Sequence, residues 1–508
     1  MRCRKAWVAL LFVSLLLLSA AAHAQTSDFT VIALPDTQFY SQDHPSIFNS
    51  QTKWIAAHKS DMNIQLVLGL GDIVNDGSSS SQFQTADAAV KVLDNAQVPY
   101  LLAIGNHDYD SNAPKYRKSS HFNTYFGPAR YANKSFYGGN FNGSNENFYG
   151  IVTLGGQQFV IVLLEFIPRQ SALDWAASVL NANLDKPAII VTHGYMYGDN
   201  TRLNKCDNAD AQQYSLANDN DGDETWNKLA SRFENVSLVL SGHVTAGGGS
   251  GRRADLGINN NLVNQILSDY QAWTNGGNGY LRIMKFRPSL NRIEVQTYSP
   301  YLNKYLTDSK NSFNVYYKNP GIGAGGIGWY DGKVRTSGCS AISSAKVSNG
   351  SVSATTDSSG HYKLQTPAPN NFSISISKSG YATQTIPAPV YDGYTTSFDV
   401  FLTTGTSTPP PPPPSGGSCT ASGANRTISV CSPASGGTVG SPVQFSASVA
   451  DTYTVRYMQI YVDYVKVYTV NAASLDTSLS IGAGSHHITV QAVDDLGYIK
   501  NSFSITVQ

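Results

Sequence analysis

Five short stretches of the chain carry the residue types from which a metal centre is built. They are Asp36-Thr37-Gln38, Gly71-Asp72, Gly105-Asn106-His107-Asp108, Thr192-His193-Gly194 and Gly242-His243-Val244-Thr245. Carboxylates, imidazoles and side-chain amides all bind divalent ions. Two such ions about 3.5–4 Å apart can hold an attacking oxygen and a phosphoryl oxygen together. One carboxylate must then bridge them, and Asp72 is the candidate. Asn106, His193 and His243 would complete one position. Asp36, with Gln38 and whatever the loop near Thr245 offers, would make the other. Singly each stretch is weak, because a Gly-Asp is usually a turn and an isolated histidine is usually structural.

Placement strengthens them. Apolar runs at 29–34, 65–70, 100–104, 159–164, 188–191 and 237–240 each end in a loop rich in Gly, Asp, Asn or His. Helical patterns lie between several of them, for example over 82–97 and 171–182. Strands alternating with helices predict an α/β domain, with its chemistry in the polar loops after the strands.

The ordered set of Gly71-Asp72, Gly105-Asn106-His107-Asp108, a later His193 and Gly242-His243 resembles the calcineurin-like metallophosphoesterase family, across roughly residues 28–300. The resemblance implies a β-sandwich flanked by helices, with two metal ions at the strand ends. It implies that Asp72 bridges the ions, that Asn106, His193 and His243 hold one, and that Asp36 holds the other. His107 would sit beside the substrate, stabilising the transition state or protonating the leaving oxygen. The implied reaction is in-line attack of a metal-bound hydroxide on a phosphomono- or phosphodiester, with no covalent enzyme intermediate.

Two departures from the family pattern fall on the same ion. The opening Asp-x-His is Asp36-Thr37-Gln38, and the closing Gly-His-x-His ends in Thr245. The other ligand set is intact, whereas decay would scatter over both. An exported branch of the family with "LPDTQ", and with "GHV" lacking the second histidine, is similar to this chain, also around "LEFIPR", "DETW" and "SDYQAW". A remodelled site is therefore expected. An oxygen-only set suits Mg²⁺, Mn²⁺ or Ca²⁺, and the mixed set suits Zn²⁺, Fe or Mn²⁺. In relatives with Gly-Asp-x-x-Asp-x-Gly the second Asp can orient the catalytic histidine. Here Asn75 stands in its place and Asp76 is one step late, so the orientation of His107 stays open. The alternative reading is a catalytically inactive binding or adhesion protein on the same scaffold.

Other residues read as bystanders. His44, His58, His121 and His361 have no motif around them. Glu165 is either a neighbour of the site or a capped strand end. The acidic segment 207–224 reads as a solvated loop over the site, and Tyr195, Tyr197, Tyr270, Gln271 and Trp273 as candidates to line a cleft.

The organisation around this domain follows from composition. Arg2, Arg4 and Lys5, a long apolar run and Ala22-His23-Ala24 predict a secretory signal peptide over 1–24. No further run after it is long enough to span a bilayer. Without Arg2, Arg4 and Lys5 the chain has 32 basic against 35 acidic residues, a net charge of −3. That argues against nucleic acid as a partner. The expected units are the phosphoesterase domain over 25–318, a β-sandwich over 329–404, a Pro-rich linker over 405–418 and a second β-sandwich over 419–508. The first sandwich resembles carboxypeptidase regulatory-like modules through "GKVRTSGCSAISSAKVSNGS" and "ISKSGYAT". The second resembles bacterial Ig-like modules through "VQFSASVAD" and "GSHHITVQAVDDLGY". Cell-wall or matrix glycans are the partners expected of such modules, and a small-molecule, glycan or nucleotide phosphoester is the expected substrate. Export permits disulfides. Cys419 and Cys431 are the best pair, whereas a pairing of Cys206 with Cys339 is not decidable from spacing. A secreted, periplasmic or cell-surface bacterial protein is expected.

Overall fold

The computed structural model describes residues 27–257, 259, 261–320, 326–368, 373–393, 395–405, 419–421, 423–462, 465–470, 472–479, 481, 484–494 and 497–508. The expected signal peptide and nearly all of the linker lie outside the described residues.

The N-terminal part is built on two seven-stranded sheets. One runs, edge to edge, through Lys304–Leu306, Arg292–Ser299, Leu281–Arg287, Phe29–Leu34, Ile64–Gly69 and Tyr100–Leu102, with Ser312–Tyr316 also paired to Arg292–Ser299. The other runs through Tyr137–Phe141, Ser144–Leu154, Gln157–Leu164, Ala188–Thr192, Val236–Ser241, Leu262–Ser268 and Ser250–Leu256. Each sheet has a parallel part: Phe29–Leu34, Ile64–Gly69 and Tyr100–Leu102 at one end of the first, and Gln157–Leu164, Ala188–Thr192, Val236–Ser241 and Leu262–Ser268 within the second. Apart from Leu262–Ser268, these are the apolar runs of the sequence, and their apolar side chains are buried. The run 100–104 is strand only as far as Leu102. One continuous core fills the space between the sheets. Phe29 of the first sheet locks it, with ring centroids 4.6 Å from Phe286 and 5.6 Å from Phe159 of the second sheet.

The crossover helices have simple causes. Ser80–Asn95 buries Phe83, Ala86, Ala89, Val90 and Leu93, a stripe of helical spacing. It starts two residues before the predicted 82 because the Ser79 side chain accepts the Gln82 N–H and caps it. Gln170–Asn181 buries Ala172, Leu173, Ala176, Val179 and Leu180 in the same way.

Two further pairs of sheets follow. Gly326–Thr336, His361–Ala368, Thr395–Ser397 and Val400–Leu402 face Lys346–Ser348, Ser353–Thr355, Ser373–Ser377 and Gln384–Pro387 around Tyr330, Val347, Tyr362 and Ile374. The last module packs Phe445, Met458, Ile460, Ile488 and Ile505 between a three-stranded and a five-stranded sheet. Disulfides join Cys206 to Cys339 and Cys419 to Cys431. The first ties the loop after the Ala188–Thr192 strand to the middle module, a pairing that only proximity in space decides.

That loop is also held by a buried ionic knot. Asp255 lies 2.6 Å from both Arg202 and Arg253, and Gln265 donates to it at 2.7 Å. Burial opposes the charge, but the two guanidinium groups prevail and hold Asp255 at about 2. A carboxylate held below its ordinary 3.8 adds stability that is complete above pH 3.8 and lost as pH falls through 2. Asp255→Asn should cost about 3 kcal/mol near neutrality, because it strands two buried cations. It should also flatten the pH dependence of stability between about pH 4 and 2. Urea unfolding across that range is the check.

Candidate metal centre

The parallel strands bring their C-terminal ends to one place. Asp36 follows Phe29–Leu34, Asp72 follows Ile64–Gly69, and Asn106 opens the turn after Tyr100–Leu102. His193 follows Ala188–Thr192, and His243 follows Val236–Ser241. Asp72, His193 and His243 form a buried cluster whose ligand atoms all lie within 4.8 Å of one another. His193 Nε2 is 3.1 Å from Asp72 Oδ2 and 3.9 Å from Asp36 Oδ2. Asp36, Gln38, Asp72, Asn106, His193 and His243 are all buried, while His107 is half-buried.

Tight approaches between loops make this convergence possible. A Cβ on Gly105 would stand 2.1 Å from Asp72 Oδ1, and one on Gly242 would stand 2.3 Å from Asp36 Oδ1. Asp72 and His243 themselves adopt left-handed backbone, with φ of 48° and 72°. Such strain costs about 1–3 kcal/mol per residue and persists where the surroundings enforce it, often at functional sites.

Hydrogen bonds set the donor atoms. His193 Nδ1 donates to the Leu70 carbonyl at 2.8 Å, which leaves the Nε2 lone pair toward Asp72. His243 Nε2 donates to the Ala209 carbonyl at 3.1 Å, which leaves Nδ1 as its lone-pair nitrogen. This is how protein partners commonly fix metal-binding imidazoles. Burial keeps His243 neutral, its value pulled down to about 3. Asp36 is pushed well above the carboxylate range, by burial first and then by Asp269 and Asp72.

The orientation of His107 has a plain answer. Its Nδ1 donates to the backbone carbonyl of Asn75 at 2.9 Å, with the Asn112 amide 3.3 Å away. The carbonyl of Asn75 therefore takes the role open to a carboxylate at that position, and Asp76 instead accepts the Ser78 N–H. Asp108 lashes the loops together by accepting the N–H groups of Ile73, Val74 and Gly105.

Several expectations are corrected. The acidic segment is only partly solvated: Asp207, Asp210 and Asp221 are buried, whereas Glu224 is exposed. Asp210 and Asp221 cap helical turns, and Asp219 pairs with Arg117 at 2.7 Å. Thr245 is exposed and lies outside the cluster. Tyr195 and Tyr270 are core residues bonded to Gln265 and Asn311 rather than cleft walls. Glu165 pairs with Arg169 at 2.7 Å and caps its own strand end. His58 pairs with Asp61, His121 stacks on Phe83, and His361 pairs with Asp331.

Sequence reasoning missed Asp269, which is 1% exposed. Gln271 Nε2 donates to it and to Asp36 Oδ2, both at 3.0 Å. The available signal was position: Leu262–Ser268 runs parallel to Val236–Ser241 with Leu267 opposite Ser241, so Asp269 and His243 follow strands that end together.

Fold, strand-end cluster and ligand chemistry together define a calcineurin-like phosphoesterase domain, and residues 29–246 match the model of the calcineurin-like phosphoesterase family. Residues 427–490 match the bacterial Ig domain family, so the chain carries a calcineurin-like phosphoesterase domain and a C-terminal Ig-like domain. The chain is 31% identical over 299 residues to the uncharacterized protein YvnB of Bacillus subtilis (strain 168). That match covers 56% of this chain and 21% of YvnB, so the chain spans about a fifth of its relative's length. A purple acid phosphatase from yellow lupin seeds is 14% identical over 57% of this chain and 54% of its own, with a TM-score of 0.37. The protein TT1561 of Thermus thermophilus is 12% identical over 56% of this chain and 99% of its own, with a TM-score of 0.29. The Ig domain, the disulfides and the Bacillus relative point to a bacterial protein outside the cytoplasm. Among the described residues no helix is long and apolar enough to cross a membrane.

Proposed function

We propose that this is a secreted or cell-surface bacterial phosphoric ester hydrolase that uses two divalent ions. Asp36, Gln38, Asp72, Asn106, His193 and His243 are the proposed ligands and His107 the proposed catalytic residue. One observation carries the reading. Asp36 Oδ1, Gln38 Oε1 and Asn106 Oδ1 are buried without a hydrogen-bond partner, and His193 Nε2 lies 3.1 Å from the Asp72 carboxylate. Each such atom costs about 1–3 kcal/mol if nothing satisfies it. Carboxylate oxygen, amide oxygen and an imidazole lone pair are all ligand atoms for a divalent cation. By donor chemistry the nitrogen-containing set suits Mn, Fe or Zn, and the oxygen set suits Mg, Mn or Ca.

Bound ions would activate water and offset charge on the phosphoryl oxygens. The chain's own residues supply the rest. The Leu70 and Ala209 carbonyls hold two imidazoles in the required tautomer. The Asn75 carbonyl fixes His107 by Nδ1–H, so Nε2 faces the departing oxygen and, in the imidazolium form, carries the proton given to it. A phosphomono- or phosphodiester of a small molecule, glycan or nucleotide is the proposed substrate class, and a cell-wall or matrix glycan the proposed partner of the C-terminal modules.

The test is hydrolysis of a chromogenic phosphomonoester and phosphodiester by protein lacking residues 1–24, with Mn²⁺, Mg²⁺, Ca²⁺ and Zn²⁺ titrated separately. Metal-dependent turnover is expected. Folded protein inert with every metal would favour the binding-protein reading. His107→Asn should lower kcat by about 10²–10⁴-fold with bound metal unchanged. The loss should be larger for an alkyl ester than for a nitrophenyl ester, whose leaving group needs no proton.

A further inference from the structure

We infer that Asp269 is a ligand of the second, oxygen-rich metal position, in place of the imidazoles that Gln38 and Thr245 do not supply. The inference rests on the two-ion reading and goes beyond it by naming a residue outside the five ligand stretches.

Three observations converge. Asp269 sits at the end of the parallel strand Leu262–Ser268, at the same sheet edge as His243, so the fold delivers its carboxylate to the rim where the other candidates gather. A single amide nitrogen, Gln271 Nε2, stands 3.0 Å from Asp36 Oδ2 and 3.0 Å from Asp269 Oδ2. An NH₂ group that gives one hydrogen to each of two carboxylates marks a point where both oxygens face one electropositive centre. The remaining Asp36 oxygen and the Gln38 amide oxygen are buried and bonded to nothing.

Charge balance points the same way. Asp36, Asp72 and Asp269 are all buried. Buried carboxylates at this density need a cation or shared protons. Asp269, Asp36, the bridging Asp72 and the Gln38 oxygen form an all-oxygen set, the kind that Mg²⁺, Mn²⁺ or Ca²⁺ accepts. The Gln271 side chain would have to swing away, or turn its oxygen inward, to admit the ion.

The test reads metal rather than turnover. Equilibrium dialysis against Mn²⁺ followed by elemental analysis should find two ions per wild-type chain. Asp269→Asn keeps the size of the side chain and an acceptor for the Gln271 N–H. It should retain one ion and weaken the second at least 10-fold, with an unchanged melting profile. Two ions of unchanged affinity in that variant would overturn the inference. One ion in the wild type would overturn it too, while leaving the His193/His243 site standing. No ion in the wild type would remove the two-ion reading itself, so the two failures are distinguishable. Anomalous scattering from wild-type crystals grown in Mn²⁺ avoids reliance on a variant. An Asp269 oxygen within about 2.5 Å of the second ion is expected, and a second ion held without Asp269 would refute the assignment.

Discussion

Asp72→Asn should abolish metal-dependent hydrolysis, by about 10³-fold or more in kcat, while the protein stays folded. Asp72 is the carboxylate placed among Asp36, His193 and His243, and it also accepts the His107 backbone N–H at 2.8 Å. Asparagine retains an oxygen for that N–H. It also tolerates the left-handed backbone that position 72 adopts at φ 48°. What it loses is the negative charge and the second anionic oxygen, both of which a shared ligand needs. Removing this buried carboxylate relieves repulsion on Asp36 but also takes away the partner 3.1 Å from His193 Nε2, so stability without metal should fall. Steady-state kinetics beside a thermal melt separates the effects. A variant that still turns over at more than a tenth of the wild-type rate would remove Asp72 from the chemistry.

Opening the Cys206–Cys339 bridge is the second large effect. The bridge closes a sequence separation of 133 residues. Loop-closure entropy for a loop of that order is worth about 3–5 kcal/mol. Around it Lys333 pairs with Asp199 at 3.2 Å, and Arg335 lies 3.8 Å from Asp207. Three residues past Cys206, the Ala209 carbonyl accepts the His243 side-chain N–H. Cys206→Ser/Cys339→Ser should therefore lower unfolding free energy by that amount, speed amide exchange over 199–214, and weaken metal retention about 10-fold by loosening the partner of His243. Unchanged exchange over 199–214 would mean that the ionic contacts suffice to hold the loop. On this reading the middle module helps position the site, beyond spacing one unit from the next.

The α/β domain was legible because its strands are apolar runs that end in punctuated polar loops. Hydrophobic periodicity and turn chemistry are local properties, written in consecutive residues. Asp36, Asp72, His193 and His243 could be singled out for the same reason, since each lies within a few residues of a strand end. His107 was visible as a residue, but its anchor was not. A backbone carbonyl carries no side-chain signature, so the substitution at Asn75 looked like a loss. The acidic segment misled because composition reports charge and not partners. Arg117, Arg202 and the helix-capping turns that neutralise it come from elsewhere in the chain or from backbone geometry.

By itself the sequence determined the class of fold, the strand ends at which a site would form, and most of the side chains offered there. The tertiary structure alone decided which cysteines meet across 133 residues. It alone also decided that the strand before Asp269 runs beside the strand before His243 and that one glutamine amide lies between two carboxylates. The physical reason is common to all three. Parallel strand register and loop docking place residues distant in sequence within 3–6 Å of one another, and no periodicity along the chain encodes which strand lies beside which.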